Sequence, residues 1–167
     1  MRDTTVEKRH EHKPKSATQA LHTLMRLCSR AEKSSGDAMR LMQRWGVAEH
    51  ERQGVLNTLM QQRYIDDARY AEAYTREKSN LSGWGAKKIS LHLRQKGIDS
   101  KTISMALASL DSDRQQEMLE AKLLRKLRIT KASNSYELRG KLLRYAISLG
   151  YEYESAKDII DKITTEE

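Results

Sequence analysis

Apolar side chains recur at spacings of three and four residues along most of the chain, the pattern of helices with one buried face. Three such stretches end at a glycine, namely Gly46, Gly97 and Gly150, and these lie about fifty residues apart. The positions eight and four before each glycine, and nine, ten and thirteen after it, are apolar in every copy: Ala38, Met42, Val55, Leu56, Leu59; Ile89, Leu93, Ala106, Leu107, Leu110; Leu142, Ala146, Ile159, Ile160, Ile163. The pattern therefore predicts an internal repeat.

Each glycine is placed where a helix needs to end. A residue just past a helix C-terminus often adopts a positive φ, which glycine tolerates best. Asp99 or Ser100 then suits the N-cap of the next helix. A further amphipathic run precedes each pair, over residues 20–31, 68–74 and 118–127. Each repeat is thus predicted to contain three helices, about nine in all, and no stretch has sustained strand alternation.

The predicted fold is all-α, with three tandem three-helix repeats forming an elongated, curved array. We expect a disordered N-terminal tail over 1–16 and repeats over 17–66, 67–113 and 114–167, the last with an acidic C-terminal end. The alternative is a compact helical bundle in which the repeat is an evolutionary remnant. An elongated array suits binding along an extended partner better than it suits a buried catalytic pocket.

Composition supports helices and restricts the class of protein. The 167 residues include one Pro, one Cys and no Phe. One cysteine excludes a disulfide framework and a CxxC metal site. No apolar run is long enough to cross a membrane, and residues 1–16 lack the apolar core of a signal peptide. We therefore expect a cytoplasmic protein.

The charge of the chain is concentrated in its middle. Lys and Arg number 31 against 23 Asp and Glu, for a net charge of +8. Residues 122–144 hold eight basic side chains and one acid, Glu137, and residues 68–110 are also strongly basic. Such a field attracts polyanions, although a solvated helix face gives the same pattern.

A basic helix pair around Gly97 is also similar to a helix-turn-helix DNA reader, but phosphate or acidic-protein contact is the more modest inference.

Candidate catalytic and metal-binding residues do not form a recognisable site. The nucleotide-loop and HExxH motifs are absent from the sequence. His10 and His12 make a weak metal pair, and Cys28 lies on an apolar helix face typical of a core residue. Gly83-Trp84-Gly85 is interpreted as the tight start of a helix over 86–96. We expect neither enzymatic activity nor a cofactor.

Two pairs in the second repeat have a structural and a functional interpretation. Asp66 and Asp67 precede a helical run, and carboxylates at that position cap the helix N-terminus. The two make a poor catalytic pair, because the side chains of adjacent residues do not face a common centre. Tyr70 and Tyr74 lie one helical turn apart. Packing in the core is the favoured role of these tyrosines, and base stacking is the alternative.

The second repeat resembles the signature of the RecX family. Residues 64–71 read Tyr-Ile-Asp-Asp-Ala-Arg-Tyr-Ala, and Tyr74, Gly85, Ile89, Leu93 and Lys96-Gly97-Ile98 follow in order. The three-repeat layout is also similar to that of the family. Two departures stand out: the family often has Phe where this chain has Tyr70 and Tyr74, and the first repeat matches less well.

The resemblance implies a cytoplasmic, non-enzymatic regulator of the RecA recombinase. Family members bind the groove of RecA–single-stranded DNA filaments and inhibit strand exchange, ATP hydrolysis and co-protease activity, which connects them to DNA repair, recombination and the SOS response. They also bind single- or double-stranded DNA without sequence specificity. We expect a monomer with no membrane partner. The alternative is a stand-alone DNA-binding protein that uses basic helix pairs.

The candidate site residues fall into two groups. The expected contacts to acidic recombinase surface or DNA phosphate are the basic residues on inferred outer faces: Arg69, Arg76, Lys87, Lys88, Arg94, Lys96, Arg125, Lys126, Arg128, Arg139, Lys141 and Arg144. The signature residues are expected to be structural: Tyr64, Ile65, Asp66, Asp67, Tyr70, Ala71, Tyr74, Gly85, Ile89, Leu93, Gly97 and Ile98.

Overall fold

The computed structural model describes residues 13–165, and within that range the chain is helical with no strand. The α-helices are α1 (Ala17–Cys28), α2 (Ser35–Arg44), α3 (Glu49–Gln61), α4 (Asp67–Glu77), α5 (Ala86–Gln95), α6 (Ser100–Leu107), α7 (Ser112–Ile129), α8 (Ser135–Ser148) and α9 (Tyr153–Thr165). The predicted all-α fold of three-helix repeats is confirmed. None of these helices is both long and apolar enough to cross a membrane.

The chain divides into two compact units between Ile65 and Asp66. In the first unit, helices α1, α2 and α3 pack around one apolar cluster whose centre includes Leu24, Met42 and Leu59, all fully buried. Ile65 also belongs to this cluster, although the signature motif runs through it into the second unit. Most of the predicted tail, residues 1–12, lies outside the described residues.

The second unit contains two apolar clusters. Helices α4, α5 and α6 enclose Ala71, Ile89 and Leu93, whereas α7, α8 and α9 enclose Leu119 and Leu142 among others.

Local capping fixes where these helices begin. The Asp66 carboxylate accepts the Arg69 N–H at 3.0 Å, and the Asp99 carboxylate accepts the Thr102 N–H at 2.9 Å. The capping role predicted for Asp66 and Asp99 is therefore confirmed.

The three repeat glycines end their helices in the same way. Their φ angles are +72° at Gly46, +80° at Gly97 and +91° at Gly150. The next residue in each case donates its N–H back to the carbonyl five residues earlier, as in the bond from Ile98 to Leu93 at 3.2 Å. Val47 and Tyr151 make the equivalent bonds. This is the Schellman motif, so the turn expected at each glycine is confirmed.

A short π-helical segment, Lys78–Ser82, extends α4 and ends at Gly83, whose φ is +61°. Its buried Ser79 hydroxyl accepts a hydrogen bond from Gln115 Nε2 of α7 at 2.6 Å. The segment therefore joins the second repeat to the first helix of the third. Periodicity alone does not reveal this π-turn, because its five residues are too few to show an apolar period of their own.

Candidate functional site

The second and third repeats are joined where the start of α5 meets the end of α8. The Gly85 N–H donates to the Leu149 carbonyl at 2.8 Å, and the Lys87 N–H donates to the Gly150 carbonyl at 3.1 Å. The first N–H groups of one helix thus satisfy carbonyls at the end of another, and the partial charges of the two helix ends attract. A Cβ on Gly85 would lie 2.4 Å from the Gly150 oxygen, so this approach requires glycine.

Two of the expected contact residues take part in this junction. Lys87 Nζ forms an ion pair with Glu152 at 2.5 Å. Lys88 Nζ donates to the Ser148 carbonyl at 3.1 Å and lies 4.5 Å from the centroid of the Trp84 ring. Any partner that binds these ammonium groups has to compete with contacts inside the chain.

The aromatic residues of the second repeat pack against its core. The Tyr70 and Tyr74 rings are stacked with centroids 5.9 Å apart, and both are partly buried against the cluster around Ile89 and Leu93. Burial raises the pKa of Tyr74 above its usual value, while the Lys78 ammonium opposes this shift. These contacts support the packing interpretation of the two tyrosines rather than base stacking.

Several cations of the third repeat are also held within the chain. Lys141 Nζ pairs with Glu137 at 2.6 Å and donates to the Lys131 carbonyl at 2.8 Å. Arg139 lies 3.5 Å from Asp161 and donates to the Thr164 hydroxyl at 3.1 Å. Three further members of the set also have internal contacts, one in the third repeat and two in the second. Lys126 lies over the Tyr145 ring, and Arg69 and Lys96 also have partners within the chain.

The Glu137–Lys141 contact predicts an unusual titration. The hydrogen bond from Lys141, followed by that from the Ser133 N–H, lowers the pKa of Glu137 from 4.5 to about 2. A lowered pKa means that its contribution to stability is present above pH 4.5 and is lost as the pH falls towards 2. We expect the Glu137 carboxyl carbon to titrate near pH 2 by NMR, and Lys141→Gln to raise that midpoint.

A matched variant separates this contact from a general charge effect. Lys157→Gln removes one charge from the same repeat. The Lys157 hydrogen bond lowers the pKa of Asp161, so this variant should raise the pKa of Asp161 and leave the pKa of Glu137 unchanged. A wild-type Glu137 midpoint near 4.5 would contradict the contact.

Five of the expected contact residues stand apart from the rest. Their guanidinium groups are exposed and have no ion pair within residues 13–165, unlike the other seven, which have internal contacts. They lie on four helices of the second unit, α4, α5, α7 and α8. These residues are Arg76, Arg94, Arg125, Arg128 and Arg144.

Two of these arginines line surface depressions. Arg76 lines a cavity of about 340 Å³ together with Arg114 and the exposed Met105. Arg144 lines a groove of about 530 Å³ between α8 and α9, where Tyr136 is 87% exposed and Tyr153 is 49% exposed. Residues 13–165 bring no three His, Cys, Asp or Glu side chains together in a possible metal site, and the His10 and His12 pair lies outside the described residues.

Three residues that line these depressions are not among the site residues predicted from the sequence: Arg114, Tyr136 and Tyr153. Tyr153 has a recognisable signal, because the repeat places it at the same position as Glu49 and Ser100, three residues after the glycine. A tyrosine at a position that is polar in the other copies indicates an exposed ring. Arg114 has no such signal, since its cavity forms only when the second and third repeats pack together.

Comparison with known proteins matches this architecture to one family. Residues 66–107, which hold α4, α5 and α6, match the family model of the second three-helix domain of RecX. A protein named Regulatory protein RecX from Clostridium botulinum (strain Eklund 17B / Type B) is 32% identical over 108 residues, 63% of this chain and 50% of that protein. The chain is therefore similar to the RecX family of regulatory proteins. The match begins at Asp66 and contains Tyr70, Gly85, Ile89, Leu93 and Gly97 of the signature.

Other RecX relatives extend the similarity beyond the second repeat. Regulatory protein RecX from Mycolicibacterium smegmatis is 27% identical over 146 residues, 85% of this chain and 78% of that protein. A crystal structure of regulatory protein RecX superposes with a TM-score of 0.75 at 25% identity, over 87% of this chain and 71% of that one. The RecX structure from Lactobacillus salivarius shares the fold, with a TM-score of 0.74 at 22% identity, over 89% of this chain and 97% of that one.

The relatives differ from this chain in length. The chain spans about half the length of the RecX proteins of Clostridium botulinum and Leuconostoc mesenteroides, at 50% and 45% of each. The similarity thus supports the RecX regulatory family and the fold.

Proposed function

We propose that the chain is a non-enzymatic regulator of the RecA recombinase. It binds the groove of RecA–single-stranded DNA filaments and inhibits strand exchange, ATP hydrolysis and co-protease activity, and so modulates DNA repair, recombination and the SOS response. The observation that carries the proposal is the match of residues 66–107 to the second RecX domain. We further propose that it acts as a cytoplasmic monomer, with repeats over 17–66, 67–113 and 114–167.

The unpaired arginines are the proposed primary contacts. Binding of Arg125, Arg128 or Arg144 to a carboxylate or phosphate breaks no ion pair within residues 13–165. Arginine also binds both of these groups through two parallel hydrogen bonds. Lys87 and Lys141, in contrast, would have to exchange one partner for another. We therefore assign the internally paired cations a secondary role in the contact.

A triple variant tests this assignment. Arg125→Gln, Arg128→Gln and Arg144→Gln together should raise the protein concentration needed for half-inhibition of RecA ATP hydrolysis roughly tenfold, since exposed charge contacts contribute about 0.5 kcal/mol each. The matched control carries Lys101→Gln, Lys131→Gln and Lys162→Gln, which remove the same charge elsewhere in the second unit. Equal inhibition by both variants would contradict the assigned contacts.

The second candidate function is stand-alone DNA binding. The observation that favours it is the same exposed set of arginines, since bare phosphates suit them as well as an acidic protein surface does. Binding to bare duplex DNA should then weaken with a log–log salt slope of about 0.9 per neutralised phosphate. A filament regulator should instead inhibit at concentrations well below those that saturate bare DNA.

A further inference from the structure

One cavity of the second unit is lined by charges of both signs that do not pair with one another. It has a volume of about 340 Å³ and lies between α4, the π-helical segment, the end of α6 and the start of α7. Glu72 and Arg76 line it from α4, and Arg114 lines it from α7. None of these three side chains forms an ion pair within residues 13–165. The cavity therefore offers two cationic groups and one anionic group to a ligand.

The remaining charged group of the cavity is already satisfied. The Asp111 carboxylate caps α7 and accepts the N–H groups of Asp113 at 2.9 Å and Arg114 at 3.1 Å. Its negative charge is thus stabilised by the N-terminus of its own helix. The Glu72 carboxylate has no such partner within residues 13–165. Glu72 is therefore the acidic group that a ligand can bind.

Contacts between helices fix the walls of the cavity. The Ser79 hydroxyl is buried and accepts a hydrogen bond from Gln115 Nε2 at 2.6 Å, which joins the π-helical segment to α7. Helix α4 packs against α6 in the apolar cluster that contains Ala71 and Ile103. Short π-helical segments occur frequently at functional sites. A ligand would thus meet walls that are already in place, which lowers the entropy lost on binding.

The unpaired charges select a ligand that carries both signs. Arginine binds a carboxylate through two parallel hydrogen bonds, so Arg76 and Arg114 suit a carboxylate that enters between α4 and α7. Glu72 lies one helical turn before Arg76, at a Cβ separation of about 5–6 Å, and suits a protonated amine close to that carboxylate. A phosphate or an acidic side chain would satisfy the arginines but would bring a second negative charge towards Glu72.

Apolar surface beside the charges indicates a third group on the ligand. Met105 is 67% exposed and lines the cavity together with Leu110. The flexible methionine side chain adapts to apolar groups of different shapes. The volume lies at the lower end of the range of about 300–1,000 Å³ that is usual for ligand sites, which restricts the ligand to a small molecule.

We propose that this cavity binds a small zwitterion, a free α-amino acid with an apolar side chain. Its carboxylate contacts Arg76 and Arg114, its ammonium group contacts Glu72, and its side chain covers Met105. An α-amino acid carries both charges on one carbon, as the close spacing of Glu72 and Arg76 requires.

The inference does not rest on the proposed function. None of Arg125, Arg128 and Arg144 lines the cavity, and the binding test uses no recombinase. Arg76 is also an expected filament contact, so the test variants change Arg114 and Glu72 instead.

Titration of the full chain with L-leucine, followed by ¹H–¹⁵N NMR, tests the site. Saturable shifts are expected at the side-chain amides of Asn80 and Gln115, because both residues line the cavity. Arg114→Gln and Glu72→Gln should each weaken binding about tenfold, the usual effect of losing one charge-assisted hydrogen bond. The same spectra show that each variant is folded.

Matched variants and ligand analogues assign each charge to its partner. Lys101→Gln and Glu117→Gln remove the same charges from exposed positions outside the cavity and should bind L-leucine as the wild type does. N-acetyl-L-leucine lacks the ammonium group, so it should bind about tenfold more weakly than L-leucine and be insensitive to Glu72→Gln. L-leucinamide lacks the carboxylate, so Arg114→Gln should leave its weak binding unchanged. This pairing of a protein change with a ligand change isolates each contact.

Four results would overturn the inference. The first is the absence of saturable shifts at Asn80 and Gln115 with L-leucine, and the second is an equal loss of binding in Glu72→Gln and Glu117→Gln. The third is binding of N-acetyl-L-leucine as tight as that of L-leucine, which would assign the cavity to the C-terminal carboxylate of a peptide. The fourth is tighter binding of inorganic phosphate than of L-leucine, which would assign it to simple anions.

Discussion

Replacing Gly85 with alanine should destabilise the second unit by about 3 kcal/mol, the sum expected for overpacking and for two weakened backbone hydrogen bonds. The new Cβ would lie 2.4 Å from the Gly150 oxygen and 2.8 Å from the Tyr151 nitrogen. Both are backbone atoms, so no side chain can rotate away. The helix ends must separate, which breaks the bonds from Gly85 to Leu149 and from Lys87 to Gly150. Urea denaturation followed by Trp84 fluorescence in a Trp45→Phe background measures the loss.

Gly140→Ala is the matched control for this prediction. Gly140 lies inside α8, and a Cβ there would meet only the flexible end of Arg144, at 3.6 Å. Alanine is the better helix former, so this variant should gain about 0.5–1 kcal/mol. The two variants add the same methyl group and should shift stability in opposite directions. A Gly85→Ala protein as stable as its parent would mean that the two repeats are not joined in this way.

Leu93→Ala should cost about 3 kcal/mol in the same denaturation experiment, the usual loss when a fully buried leucine leaves a cavity. Leu93 is fully buried in the cluster of α4, α5 and α6, and its carbonyl accepts the N–H of Ile98 in the glycine turn. The repeat places it at the same position as Met42 and Ala146, which are also fully buried. The loss thus reports on the core position that defines the repeat.

Leu91→Ala in the same helix provides the comparison. Leu91 is 52% exposed, so removing its side chain should change stability by less than about 0.5 kcal/mol. Similar losses for the two variants would show that the face of α5 inferred from the apolar pattern is not the buried one.

The sequence predicted the features that depend on neighbours along the chain. Apolar spacing located the buried positions Ile89 and Leu93, because a helix face repeats every three to four residues. The turn at Gly97 and the cap at Asp99 were predictable for the same reason, since both depend on backbone groups within one helical turn. The family signature then identified the second repeat as similar to a RecX domain.

Contacts between distant segments were not predictable. Gly85 was interpreted only as the tight start of a helix, because nothing near it in the sequence shows that Gly150 will approach its backbone. The pairing of Lys87 with Glu152 was missed for the same reason.

Charge composition located the basic stretches of the chain, but it could not separate cations with internal partners from free ones. In the first unit, Lys13 and Arg44 are separated by about thirty residues, and only the fold brings them to one groove.

The most direct test of the central claim is ATP hydrolysis by preformed RecA–single-stranded DNA filaments to which the protein is added. We predict that hydrolysis falls and that the filaments shorten, at protein concentrations well below those that saturate bare DNA. Unchanged hydrolysis and unchanged filament length would contradict the account.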